Sequence, residues 1–145
     1  MSTCTFFGSK NSPESVRPVL AQVLSELILK RGVNDFYVGN QGAFDAMVLR
    51  ELRALAEEYP IRYTVVLAYH PKPADPDDPN PLLPGETLLP EEAVNCPPRF
   101  AIDKRNRWML ERADYVVACV VNPRGGAYKF TELARKARKT VIEVY

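Results

Sequence analysis

Arg105, Asn106, the pair Gly125-Gly126 and Glu132 are the residues of this chain whose types and spacing point to chemistry. A guanidinium can grip a phosphate or carboxylate through two parallel hydrogen bonds; the alternative for Arg105 is a solvated helix face. An amide carried inward on a helix, as Asn106 would be on the stripe Ile102, Asn106, Met109 and Ala113, demands partners. Those are either backbone groups of the Gly125 loop or the ribose and phosphate of a ligand. Gly125-Gly126 either admits a ligand to the backbone without a Cβ in the way or simply makes a turn. Glu132, six residues on, is either a carboxylate near that loop or an acid that suits the positive end of a helix dipole, and Asp45 has the same two readings.

Three segments place small or polar residues directly before a helix: Gly8-Ser9-Lys10-Asn11, Gly39-Asn40-Gln41-Gly42, and Asn122 to Tyr128. Unpaired backbone N–H groups and the helix dipole make such places receptive to anions, so a phosphate or nucleotide is the expected guest. His70, the only histidine, falls one strand away from these loops and reads as a rim residue rather than a general base. Cys4, Cys96 and Cys119 are odd in number and lack ligand spacing, which favours buried thiols over a disulfide or a metal site. No Walker lysine, GxSxG, paired metal-binding histidines or basic-aromatic comb occurs, and no metal or cofactor is expected.

The elements that must hold these residues follow from hydrophobic spacing. Runs rich in β-branched and aromatic residues at 3–7, 35–38, 61–68, 114–121 and 140–144 read as strands. Helical spacing recurs between them, first in Val16, Leu20, Val23, Leu24 and Leu27, with Ser12 as N-cap before Pro13 and with Gly32 as C-terminal stop. A second stripe is Phe44, Val48, Leu52 and Leu55; a third helix covers 100–113 and a fourth includes 131–138. Residues 70–98 hold nine of the thirteen prolines and read as a long loop inserted into a single domain, 1–145. Its leucines suggest that it covers the crevice or a neighbouring subunit.

Alternating strands and helices define a three-layer α/β fold, here a five-stranded parallel sheet of order 3-2-1-4-5. Strands 1 and 4 then neighbour each other while their connections leave on opposite sides, opening a crevice where the three loops converge. At 145 residues and 46% hydrophobic, the chain can bury a core. Nineteen basic against eighteen acidic residues exclude a nucleic-acid coat, and no signal-like start or membrane-length apolar run is present, so a cytoplasmic protein with neither membrane nor nucleic-acid partner is expected.

Four segments carry a family resemblance: FFGSKNSPESV, YVGNQGAFDAMVL, PPRFAIDKRNRWMLERADYVVACV and GGAYKFTELARKARKTVI. In order and over nearly the whole chain they resemble the small stand-alone SLOG-superfamily proteins of Firmicutes, relatives of YpsA and more distantly of DprA and LOG. The resemblance implies a modified Rossmann fold, a nucleotide or nucleotide-derived ligand and frequent homo-oligomers. The positions expected to bind this ligand in the crevice are Gly8, Ser9, Lys10, Gly39, Asn40, Gly42, Asp45, Arg105, Asn106, Gly125 and Gly126. LOG enzymes remove the phosphoribosyl group from cytokinin nucleotides with an arginine and with the glutamate of PGGxGTxxE, which fall here on Arg105 and Glu132. Arg124 stands in place of the motif's proline, and Tyr128 and Lys129 in place of its glycine and threonine. Binding is therefore expected ahead of phosphoribohydrolase activity, with a non-catalytic interaction scaffold as a further reading.

Overall fold

A sheet of parallel strands runs through the molecule in the order β4-β3-β2-β1-β5-β6, as a computed structural model describing residues 2–73, 75–79 and 81–145 shows. The strands are β1 (Ser2–Gly8), β2 (Val33–Val38), β3 (Arg62–Val66), β4 (Thr87–Leu88), β5 (Tyr115–Cys119) and β6 (Thr140–Glu143). The helices are α1 (Arg17–Arg31), α2 (Ala43–Glu58), α3 (Glu91–Val94), α4 (Ala101–Arg112) and α5 (Gly126–Lys136). Cys4 to Phe7 of β1 are all buried because helices cover both faces of the central strands, and this is why the strands read as continuous apolar runs.

On one face α1 and α2 lay Leu20, Leu24, Leu27, Phe44, Val48 and Leu52 against Phe6 and Phe36. On the other, α4 and α5 bring Met109, Leu110, Phe130 and Ala134 against Phe7 and Val116. The helix boundaries follow local chemistry. Gly32 ends α1 in the left-handed conformation at φ 67°, which costs a glycine nothing. At the other end of that helix, Ser12 does not act as N-cap. Its hydroxyl donates to the Ser9 carbonyl at 2.7 Å, a 3-10 turn fills Glu14–Val16, and α1 begins only at Arg17.

The five-strand reading misses one edge strand. Inside the proline-rich insertion, Thr87 and Leu88 pair in parallel with Val65 and Val66, so the insertion is not wholly loop; the order 3-2-1-4-5 is preserved inside the longer one. A strand of two residues has no periodicity to read. Its position comes from β3 and the residue after it: the Val65 and Leu67 N–H groups donate to the carbonyls of Glu86 and Leu88 at 2.8 Å. Glu86, buried at 5% exposure, completes the attachment. It accepts from Arg53 Nε and Nη2 at 2.8 and 2.6 Å, from the Tyr63 hydroxyl at 2.7 Å and from Leu83 N–H at 3.1 Å. Burial alone would raise its pKa, but the Arg53 and Tyr63 hydrogen bonds outweigh that and hold it below the usual carboxylate value.

Within the sheet, β1 lies between β2 and β5, in register from Cys4 opposite Tyr115 to Gly8 opposite Cys119. β1 leads to α1 on one face and β5 to α5 on the other, so the chain divides at the carboxyl ends of these two strands and leaves a crevice. No helix among the described residues is long and apolar enough to cross a membrane.

Candidate functional site

The crevice over β1 and β5 encloses a cavity of about 300 Å3. Its rim is tied together by backbone: Ser9 N–H donates to the Cys119 carbonyl at 3.0 Å, Val121 N–H to Ser9 Oγ at 3.0 Å, and Ala43 N–H to the Lys10 carbonyl at 2.9 Å. These three bonds hold the loops after β1, β2 and β5 to one another, so they form a single wall.

Arg105 lies deepest in this wall. The side chain projects from α4 toward the ends of β2 and β3 at 2% exposure, donating from Nη1 to the Val66 carbonyl at 3.0 Å and from Nε to Asn106 Oδ1 at 2.8 Å. Burial depresses its pKa, while the charge of Asp45 works the other way; a guanidinium remains protonated regardless. The rest of its donor fork has no acceptor among the described residues, and Arg105 lines the cavity. Of the stripe expected through Asn106, Met109 and Ala113 are buried, and Ile102 and Asn106 are half-buried against the cavity; Arg105 is buried beside them, with Asn106 as its acceptor.

Asp45 is buried in the first turn of α2 and faces the same cavity. Its Oδ2 accepts the Gln41 N–H at 2.9 Å. Burial raises its pKa from 3.8 to about 6, against the opposing effects of the Gln41 hydrogen bond and the Arg105 charge. Gly39 is what allows these two charged groups to come so close to the backbone. A Cβ there would lie 2.8 Å from both Arg105 Nη1 and Asp45 Oδ2.

The glycines divide into two kinds. Gly8, Gly39 and Gly42 admit protein: a Cβ on Gly8 would fall 2.0 Å from Phe44 Cδ2, and one on Gly42, at φ 97°, 2.6 Å from Lys10 Cα. Gly125 and Gly126 face space instead. A Cβ on Gly125 would meet only the Asn122 carbonyl, at 3.6 Å, and one on Gly126 nothing within 4 Å. Gly126 opens α5, whose first-turn N–H groups have no intrahelical acceptor, and Gly125, Gly126 and Ala127 line the cavity.

Gly8, Ser9, Lys10, Asp45, Arg105, Asn106, Gly125 and Gly126 therefore come together around one cavity. Gly39 and Gly42 stand behind it as packing positions, and Asn40 is exposed and lines a separate cavity together with His70. Glu132 is not brought in. Because α5 begins at Gly126 rather than near 131, Glu132 falls in its second turn, half-exposed, and pairs with Arg135 at 2.6 Å. Asn11, Gln41 and Asn122 also line the cavity. Their signal in the sequence was their place in polar loops before helices, which does not tell one polar residue from its neighbour. Cys4, Cys96 and Cys119 are free thiols, and among the described residues no group of three His, Cys, Asp or Glu is arranged to hold a metal ion.

Sheet order and crevice together define a Rossmann-like α/β protein. In particular, the chain is similar to the molybdenum cofactor carrier protein MCP from Chlamydomonas reinhardtii, with a TM-score of 0.58 and 18% identity over 99% of this chain and 76% of that one. At that identity the likeness is one of fold. No protein family matches the chain, and no curated protein matches it.

Proposed function

We propose that the chain, as a SLOG-type domain, binds a nucleotide or nucleotide-derived metabolite in the crevice above β1 and β5. One observation carries this: Arg105 is buried without a carboxylate at ion-pair distance among the described residues, and its side chain lines the cavity. The guanidinium N–H groups that no described residue accepts from are accessible from the cavity, where an anionic ligand can accept from them. The first-turn N–H groups of α5 border the same cavity and add a dipole of the right sign. That the structurally similar MCP carries a molybdenum cofactor supports the carriage of a small molecule by this architecture. Binding rather than phosphoribosyl hydrolysis is the reading the geometry favours, since Glu132 is engaged with Arg135 and does not line the cavity. A cytoplasmic homo-oligomer belongs to the same reading.

Mass spectrometry of small molecules released from freshly purified protein identifies the ligand class, and calorimetry against nucleoside monophosphates tests the site. The Gly126→Val variant folds normally, because its side chain meets open space. The same side chain obstructs the N–H groups of α5, and affinity falls at least about tenfold, equivalent to about 1.4 kcal/mol. Unchanged affinity in a folded Gly126→Val protein would remove the crevice as the site.

A further inference from the structure

A second cavity, about 640 Å3, opens beside the first between the β2–α2 loop and the proline-rich insertion. Gln41 lines both. Its backbone N–H is committed to Asp45, and its side-chain amide is held by no described residue. Gln41 is therefore part of the partition between the two cavities. The characters of the cavities differ. The first presents a guanidinium, a carboxylate and the start of a helix, whereas the second presents Tyr69, Leu82, Leu83 and several prolines, together with the charged Lys72, Asp75 and Asp78 and with His70.

Tyr69 and Leu83 are 44% and 48% exposed, and neither is loosely placed. The Tyr69 hydroxyl donates to the Pro98 carbonyl at 2.9 Å, and the Leu83 N–H donates to Glu86, itself clamped by Arg53 and Tyr63. An aromatic ring and an aliphatic side chain held in position yet left uncovered make a surface suited to a flat ring system. The first cavity alone lies at the lower limit of ordinary ligand sites, which run from about 300 to 1,000 Å3, and the two together remain inside that range.

Resting on the reading of the first cavity as an anion-binding nucleotide site, we infer that the ligand is bipartite. It is a nucleotide whose phosphate carries a second ring-bearing group, of the dinucleotide class. The phosphate sits between Arg105 and the start of α5. The second group passes Gln41 and lies against Tyr69 and Leu83.

The probes are AMP and GMP, measured by calorimetry against diadenosine diphosphate and diguanosine diphosphate. The wild-type protein binds at least one dinucleotide ten or more times more tightly than the matching mononucleotide. The double variant His70→Ala, Leu83→Ala removes only partly exposed side chains; it reduces that advantage to threefold or less and leaves the mononucleotide affinity unchanged. Gly126→Val weakens both ligands. Equal affinity for mononucleotide and dinucleotide in the wild type overturns the inference while leaving the anion site standing, as does an advantage that survives in the double variant. Binding of none of the four probes overturns the nucleotide reading itself, and this inference with it.

Discussion

Replacing Asp45 by Asn should stabilise the protein at neutral pH, and the size of the effect can be worked out from the geometry. The carboxyl group is buried, and its pKa rises from 3.8 to about 6 on folding. A folded-state pKa above the unfolded one means that the folded protein holds this proton more tightly. The resulting stability is fully present below about pH 3.8 and is lost as the pH rises through about 6. A shift of two units corresponds to about 3 kcal/mol between those limits. Asn keeps an acceptor for the Gln41 N–H, whose bond to the charged carboxylate already enters the net shift, and about 0.5 kcal/mol of the total is lost by pH 4, where the unfolded carboxyl has begun to titrate. Asp45→Asn should therefore match the wild type near pH 4 and exceed it by about 2.5 kcal/mol at pH 7.5, a rise of roughly 2–4 °C in Tm per kcal/mol for a chain of this size. Urea unfolding of both proteins at intervals between pH 4 and 8 measures the difference. Glu86 and Asp103, whose pKa values are lowered and whose contributions vanish as pH falls, are present in both proteins and cancel. A difference that stays flat across this range, or an Asn variant less stable at pH 7.5, would refute the argument that Asp45 is held ionised in the crevice at a cost. Nucleotide affinity of Asp45→Asn measured alongside shows whether that cost serves binding.

Two further substitutions probe the frame of the site. Gly8→Ala places a methyl group 2.0 Å from Phe44 Cδ2, and because Phe44 is fully buried the clash should cost about 1–3 kcal/mol in urea unfolding; a loss below about 0.5 kcal/mol would mean that the ring has room to move. Glu86→Ala leaves Arg53 and Tyr63 without their shared acceptor and should cost about 3 kcal/mol, with residues 70–98 becoming the first point of proteolytic cleavage. Intact resistance of that segment would show that the β4 backbone pairing holds it unaided.

The alternation of strands and helices was legible in the sequence, because fully buried parallel strands and amphipathic helices impose different periodicities on apolar residues. From that alternation the inner order of the sheet and the position of the crevice followed, since crossover handedness leaves few arrangements. Loop composition then named most of the residues that line the cavity. Tertiary structure decided what depends on contacts distant in sequence. Thr87 and Leu88 become a strand because Glu86 meets Arg53, 33 positions earlier, and because β3 offers backbone partners; nothing in two residues announces this. The packing of α4 on Phe7 and Val116 buries Arg105 more deeply than Asn106, although both line the cavity. The start of α5 at Gly126 turns Glu132 away to Arg135. Five glycines that look alike in the sequence separate into three that admit Phe44, the Arg105–Asp45 pair and Lys10, and two that face open space, because what a missing Cβ makes room for is fixed only when the neighbouring chain is in place.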